Sequence, residues 1–177
     1  MKCDLTPRIY VACLASYNNG ILHGAWIDAS ADVEEMQEEI AAMLKRSPMP
    51  EAEEWRIDDF EDLGHLPDLV SLEDVARQVE IIEAAENCGI DPMAAADALA
   101  DMGGPDEDPE DWLGGHYAGA FERDAEMAEE MYFAAYGEES IPEHLRCHID
   151  WEGVARDMLV GLSSYSGSDA MRHYFHA

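Results

Sequence analysis

Residues 7–29 have the sequence PRIYVACLASYNNGILHGAWIDA, and this stretch decides how the fold begins. Residues 8–16 are rich in β-branched and aromatic side chains, which is typical of a mostly buried strand. Asn18-Asn19-Gly20 follows, and it predicts a tight turn because Asn and Gly tolerate positive φ angles. Residues 21–27 predict a second strand that runs back. The stretch therefore predicts an N-terminal β-hairpin that nucleates a small sheet.

A helix and a third strand are predicted next. Residues 32–46 carry apolar side chains at helical spacing, with glutamates covering the opposite face. Asp32 is placed to cap this helix, Glu35 occupies the capping-box position, and Pro48 ends the segment. Residues 53–60 have the pattern of a strand with aromatic and aliphatic side chains turned inward. The first unit is thus a hairpin, a helix and a strand.

The middle of the chain predicts helices. Ser71-Leu72-Glu73-Asp74 is a capping-box sequence, and the helix that it begins should end at Gly89. Asp91-Pro92 starts a second helix, because proline is favoured in a first turn, and this helix should reach about Met102. Residues 103–109 are acidic and turn-forming, which predicts a loop.

The last third of the chain alternates helical and extended patterns. The elements predicted there are a short turn at 110–113, a break at Gly114-Gly115, an extended segment at 116–121, a helix at 123–136, a helix at 150–162, a flexible turn at 163–168 and a strand at 171–175. The fold class predicted for the whole chain is α+β. Its three small units are an N-terminal α/β domain at 1–65, a central helical domain at 66–110 and a C-terminal α/β domain at 111–177.

Charge is the unusual property of this sequence. The 177 residues include 40 Asp and Glu against 10 Lys and Arg, a formal net charge of −30, while a hydrophobic content of 47% indicates a folded protein. Thirty charges correspond to roughly 50 Å of duplex DNA, whereas a compact chain of this length is roughly 40 Å across. Such a surface repels nucleic acid and anionic membranes and attracts basic proteins. Solubility or adaptation to salt is the simpler explanation and stays open.

The placement of the carboxylates argues for a function. Pairs such as Glu34/Glu38 and Glu126/Glu130 put like charges on one helix face, at about 0.2–0.5 kcal/mol per pair. Two adjacent rows on a helix present a charge about every 3 Å, close to the 3.4 Å phosphate spacing of one DNA strand. The candidate phosphate-mimicking carboxylates are Glu34, Glu35, Glu38, Glu39, Asp58, Asp59, Glu61, Asp62, Asp106, Glu107, Asp108, Glu110, Asp111, Glu122, Asp124, Glu126, Glu129, Glu130, Glu138 and Glu139.

The opening stretch resembles the ArdA antirestriction proteins, a family of acidic DNA mimics that inhibit type I restriction-modification enzymes. The resemblance rests on Arg8-Ile9-Tyr10-Val11-Ala12, on Tyr17-Asn18-Asn19-Gly20 and on His23-Gly24-Ala25-Trp26-Ile27-Asp28. Order and composition extend it over the rest of the chain. Ile149-Asp150-Trp151-Glu152 is similar to the C-terminal region of the family.

The resemblance implies an elongated protein of three units that forms a homodimer through its C-terminal part. It implies that the curved dimer imitates bent B-form DNA and occupies the DNA-binding groove of the methyltransferase core. Proteins of this kind are carried by mobile genetic elements and protect incoming DNA from restriction. The resemblance therefore implies an inhibitor without catalytic residues, cofactor or metal, whose partner is a type I restriction-modification enzyme rather than nucleic acid or a membrane.

Two other functions stay open on sequence grounds. An acidic regulator could bind a basic protein without imitating DNA. A metal-dependent enzyme could use His144 and His148, which are spaced i,i+4 with Cys147 between them. There is no phosphate-binding glycine loop, nucleophile elbow or HExxH motif in the sequence. Four cysteines without a CxxC pair, and no apolar run of membrane-spanning length, predict a cytoplasmic protein with free thiols.

Overall fold

In the residues that the structure describes, two antiparallel sheets of three strands each organise the chain. The structure is a computed structural model, and it describes residues 5–66, 70–103 and 107–177. The strands are β1 (Arg8–Cys13), β2 (Gly24–Asp28), β3 (Trp55–Glu61), β4 (Tyr117–Phe121), β5 (Leu162–Ser166) and β6 (Arg172–His176). The helices are α1 (Leu14–Asn18), α2 (Val33–Lys45), α3 (Leu72–Cys88), α4 (Pro92–Met102), α5 (Pro109–His116), α6 (Asp124–Tyr136), α7 (Glu143–Arg146) and α8 (Trp151–Met158). The fold is α+β, as the sequence predicts.

The first sheet has the order β2-β1-β3, with the predicted hairpin partners side by side. Ile9 lies opposite Ile27 across the β1–β2 pair, and Val11 lies opposite Ile57 across the β1–β3 pair. Ile9, Val11 and Ile27 are buried, and Met36 of α2 belongs to the same core. Because strand side chains alternate between faces, this register places the apolar residues of β1 and β2 on the face covered by the helix.

The connection between β1 and β2 differs from the predicted tight turn. β1 ends at Cys13, and residues 14–18 form the short helix α1 instead of continuing the strand. The buried hydroxyl of Ser16 lies 2.9 Å from the hydroxyl of Ser47, and the Asn19 side chain donates to the Ala15 carbonyl. These contacts stabilise a helical turn at a site whose composition favours a strand. The hairpin pairing is confirmed, and the chain turns at Asn19-Gly20 with Gly20 at a φ of 73°, but the strand predicted beyond Cys13 is wrong.

Capping residues in the sequence correctly predict where the long helices begin and end. Asp32 caps α2 by accepting a hydrogen bond from the Glu34 backbone, although Glu35 bonds to Ser30 rather than completing a capping box. The Ser71 capping box of α3 is formed. α3 ends at Gly89, whose φ of 71° lies in the left-handed region.

The helical middle packs into one core with the first sheet. That core also includes Trp112 of α5 and Phe175 of β6. Within it, the buried side-chain amide of Gln78 donates to the Ala96 carbonyl at 2.6 Å and links α3 to α4. The three-unit division and its boundaries stay a prediction. Part of the predicted loop at 103–109, together with residues 67–69 and Cys3, lies outside the described residues.

The predicted break at Gly114-Gly115 is wrong, because both glycines belong to α5. Pro109 opens that helix, and the Asp108 carboxylate accepts hydrogen bonds from the backbones of Glu110 and Asp111. Trp112 is buried, and burial of so large a side chain outweighs the roughly 1 kcal/mol that each helical glycine costs.

A Ser-rich strand was not predicted. Residues 163–168 carry turn-forming side chains, yet Leu162–Ser166 forms β5 and pairs with β6 in a sheet of order β4-β6-β5. The preceding helix, predicted to reach residue 162, ends at Met158. The strand exists because backbone pairing with β6 overrides the local preference of serine, while Leu162 is buried and Tyr165 packs on the core.

The described chain contains free cysteine thiols and no helix suited to spanning a membrane. Cys13, Cys88 and Cys147 carry free thiols. No helix in the described ranges has both the length and the apolar character needed to cross a membrane.

Candidate functional site

The acidic face of α2 is the most regular part of the predicted surface. Its four glutamates, called here the α2 rows, are Glu34, Glu35, Glu38 and Glu39, and all four are exposed. The opposite face is fixed in the core by the buried Met36, Ile40 and Met43. Four residues of helix advance about 6 Å, so each of the two rows repeats its carboxylate about every 6 Å on a rigid element.

Most of the α2 rows are not neutralised by neighbouring side chains. In the described part of the chain, the carboxylates of Glu34, Glu38 and Glu39 have no hydrogen-bond or ion-pair partner, whereas Glu35 accepts a 2.9 Å hydrogen bond from the Ser30 hydroxyl. Lys45 lies at the last residue of the helix, where a cation favourably opposes the helix dipole. The rows therefore face solvent as free anions.

The acidic residues of β3 are different, because cations accompany them. Asp58, Asp59, Glu61 and Asp62 are exposed on or next to an edge strand. Glu61 forms an ion pair with Arg8, and Asp58 forms one with Arg56. Asp62 accepts a 3.0 Å hydrogen bond from the backbone of Thr6. Local neutralisation makes this group a weaker anionic surface than the α2 rows.

The acidic residues around α5 combine structural and free carboxylates. Asp108 is the helix cap described above. Glu110 and Asp111 lie in the first turn of α5 with exposed side chains. Glu107 is exposed, and its backbone carbonyl accepts a 2.6 Å hydrogen bond from Arg77. Asp106 lies outside the described residues.

At α6, one predicted carboxylate is structural. Asp124 is partly buried, accepts a 2.6 Å hydrogen bond from the Tyr174 hydroxyl and pairs with Arg172 at 2.7 Å. The hydrogen bond from Tyr174, together with Arg172, outweighs partial burial and lowers the pKa of Asp124. Burial and the same hydrogen bond raise the pKa of Tyr174 to about 12. Asp124 therefore joins α6 to the second sheet rather than presenting a free charge.

Four other predicted carboxylates around α6, Glu126, Glu129, Glu130 and Glu138, border an open groove of about 790 Å³ lined by residues of α6, α7 and α8 and of the segments next to α6. Glu129 and Glu130 line it together with Phe133 and Trp151. Arg146 enters the same groove, where its guanidinium lies 4.4 Å from the Phe133 ring centre and its Nη1 lies 2.6 Å from Glu138. The groove is therefore anionic along α6 and also carries two arginines, Arg123 and Arg146, in its lining.

The other acidic residues near α6 also include both hydrogen-bonded and free carboxylates. Glu126 accepts a 3.3 Å hydrogen bond from the Glu122 backbone, while Glu139 is exposed. Across all the predicted carboxylates in the described ranges, ten accept no hydrogen bond, from backbone or side chain, and form no ion pair. They are Glu34, Glu38, Glu39, Glu107, Glu110, Asp111, Glu122, Glu129, Glu130 and Glu139.

The sequence did not predict one cluster of titratable residues. His176 is exposed, whereas His173, on the same strand, is only 2% exposed. His173 lies beside Asp91 and Asp169, so that potential ligand atoms of the three converge. No sequence pattern links residues about eighty positions apart, so only the folded chain reveals this group.

The alternative metal site at α7 is not supported by converging ligand atoms in the described ranges. His144, Cys147 and His148 are exposed on or next to a four-residue helix. In the described ranges, the group of three ligating side chains that does converge is the one containing His173.

Comparison with known proteins adds one finding. A family model described as antirestriction protein (ArdA) matches residues 9–171, which is nearly the whole chain. No curated protein matches the sequence closely enough to count as a relative.

Proposed function

Because the chain belongs to the ArdA family of antirestriction proteins, we propose that it is an acidic DNA mimic. In this proposal it occupies the DNA-binding groove of a type I restriction-modification enzyme and blocks restriction of incoming DNA. The observation that carries the proposal is the set of carboxylates that have no hydrogen-bond or ion-pair partner in the described ranges, most of them exposed and held on helices whose other faces are packed in a core.

The electrostatics support this proposal. A groove that binds duplex DNA is lined with Lys and Arg at phosphate spacing, and DNA binding is driven largely by release of condensed counterions. The α2 rows present on average one anion per about 3 Å of helix axis. A net charge of −30 on 177 residues gives the protein an anionic field comparable to that of duplex DNA. Because the backbone of α2 is already ordered, closing a basic groove on these carboxylates costs only the rotamer entropy of their side chains.

Family membership supports the remaining parts of the proposal. We propose that the protein inhibits by occupying the groove and has no catalysis of its own. A homodimer would lengthen the anionic surface beyond one chain. The target is a cytoplasmic enzyme, and the proposed partner is its methyltransferase core rather than nucleic acid or a membrane.

Competition with DNA tests the proposal. A type I methyltransferase core is bound to a fluorescent duplex that contains its recognition site, and this protein is added at several salt concentrations. We expect full displacement at low salt and an apparent affinity that falls steeply as salt rises. Failure to displace the duplex at low salt would overturn the proposal.

A second outcome separates mimicry from ordinary acidic regulation. A protein that binds elsewhere on the enzyme would form a ternary complex with the core and its DNA, visible as a larger species in sedimentation. Its affinity would depend on a few apolar contacts rather than on the number of carboxylates.

A further inference from the structure

A group of three potential metal ligands lies where the N-terminus of α4 meets the turn between β5 and β6. It consists of Asp91, Asp169 and His173 and is called here the Asp91 cluster. One ligand atom from each residue lies within 4.8 Å of the other two. His173 is 2% exposed and Asp91 is 8% exposed, while Asp169 faces solvent. We propose that the Asp91 cluster binds a divalent transition-metal ion such as Zn²⁺.

The imidazole of His173 is held in an orientation that suits a ligand. Its Nδ1 lies 3.1 Å from the hydroxyl of Tyr117, and its Nε2 lies 3.3 Å from both carboxylate oxygens of Asp169. When Nδ1–H donates to Tyr117, the lone pair of Nε2 points toward the carboxylates. Histidines that bind metals commonly donate their second N–H to a fixed oxygen in this manner. Tetrahedral zinc ligands are about 3.4 Å apart, which matches the separation of Nε2 and Asp169.

The carboxylate of Asp91 is fixed by neighbours from both sides of the junction. Its Oδ1 accepts a 2.9 Å hydrogen bond from the Ala94 backbone, and its Oδ2 accepts hydrogen bonds from the backbone and hydroxyl of Ser168, at 2.8 and 2.5 Å. Each carboxylate oxygen can accept two interactions, so Oδ1 keeps a lone pair for a cation. Hydrogen-bonded carboxylates are the usual form of such ligands.

Gly167 leaves the space that this arrangement needs. A Cβ atom on Gly167 would lie 2.5 Å from Asp169 Oδ1 and 2.6 Å from His173 Nε2. Any other residue would therefore push the two ligands apart. The tight approach of the backbone keeps both side chains in one small volume next to Asp91.

The donor set indicates the class of ion. Two carboxylates and one imidazole are hard and intermediate ligands, which suits Zn²⁺ or Mn²⁺ and disfavours thiophilic ions. A divalent cation balances the two carboxylate charges. The ion would join the N-terminus of α4 to the β5–β6 turn and β6, whose ligands lie far along the chain from Asp91. Its role is structural and independent of the antirestriction proposal.

Calorimetric titration of the full chain tests the site. The protein is stripped with a chelator and titrated with ZnCl₂ in about 0.15 M salt, which screens diffuse binding to the acidic surface. We expect saturation at one ion per chain, and Co²⁺ in the same site should produce visible absorption bands. Asp169→Asn should weaken binding by more than about tenfold. Asp157→Asn, an equal change at an exposed residue of α8, should bind as the wild type does.

Thermal unfolding distinguishes a lost ligand from a misfolded variant. Asp169 is exposed, and its Oδ1 accepts a 2.9 Å hydrogen bond from the Met171 backbone, which the Asn amide oxygen can also accept. Asp169→Asn should therefore keep the zinc-free melting temperature of the wild type and lose the rise that zinc produces. His173→Gln should also abolish that rise. Binding without saturation at one equivalent, or equal affinity in Asp169→Asn and Asp157→Asn, would overturn the proposal.

Discussion

The carboxylate of Asp124 accepts a 2.6 Å hydrogen bond from the hydroxyl of Tyr174, which lies 50 residues later in the chain. Asp124 begins α6, and Tyr174 is a fully buried residue of β6. This bond therefore connects a helix with an acidic surface to the sheet behind it. Its structural role separates Asp124 from the free carboxylates that the same stretch of sequence contains.

Asp124→Ala should lower the free energy of unfolding by about 1–3 kcal/mol, because it leaves the buried Tyr174 hydroxyl without its acceptor. Urea denaturation followed by circular dichroism measures the change. Asp111→Ala is the matched control, since Asp111 also lies in the first turn of a helix but has no side-chain partner in the described ranges. If the two substitutions were equally destabilising, the hydrogen bond would have no special role.

The contribution of Asp124 should depend on pH. Its pKa is lowered from 3.8 in the folded protein, first by the hydrogen bond from Tyr174 and then by Arg172. A lowered folded-state pKa adds stability above the unfolded-state pKa and loses it as the pH falls through the folded-state pKa. The stability difference between the wild type and Asp124→Asn should thus be full at pH 7 and shrink below about pH 4. Urea denaturation at pH 7, 5 and 3 measures it, and a difference that grows with acidity would contradict the assignment.

The parts of the fold that sequence predicts well have local causes. α2 and α3 begin at Asp32 and Ser71, whose side chains bond to backbone groups two or three residues ahead, and α3 ends at a glycine. Apolar spacing then identifies the buried faces. A pattern of neighbouring residues contains all of this information.

The features that sequence does not predict depend on distant contacts. α1 is stabilised by Ser16 against Ser47, and β5 exists through its pairing with β6. For the candidate site, the i,i+4 spacing of the glutamates correctly predicts that the α2 rows are exposed. It does not show that Arg8 neutralises Glu61 from 53 residues away or that Tyr174 binds Asp124. Charge patterns therefore predict where carboxylates cluster, whereas the fold decides which of them are free.

Two glycines should respond to alanine in opposite ways. A Cβ on Gly24 would lie 2.5 Å from the Val11 carbonyl oxygen and 2.7 Å from the Tyr10 hydroxyl, so Gly24→Ala should destabilise by about 1–3 kcal/mol. Gly114 lies inside α5 with no atom near its missing side chain, so Gly114→Ala should stabilise by about 0.5–1 kcal/mol.

Thermal unfolding of both glycine variants, each against the wild type, measures these changes. The pair also tests the path of the chain at α5. If Gly114→Ala were destabilising, the two glycines would break the chain, as the sequence alone suggests, rather than continue the helix.

The α2 rows should contribute more to inhibition than other glutamates of equal exposure. The double substitution Glu34→Gln with Glu38→Gln removes two free anions from one row, and each phosphate-like contact contributes about 0.9 to the slope of log affinity against log salt. We therefore expect a slope smaller by up to about two in competition with duplex DNA for the methyltransferase core. Glu83→Gln with Glu86→Gln is the matched control, because it removes the same charge from exposed positions of α3 that lie outside the predicted set. Equal slopes for the two double variants would mean that net charge, rather than the arrangement of carboxylates on α2, governs binding.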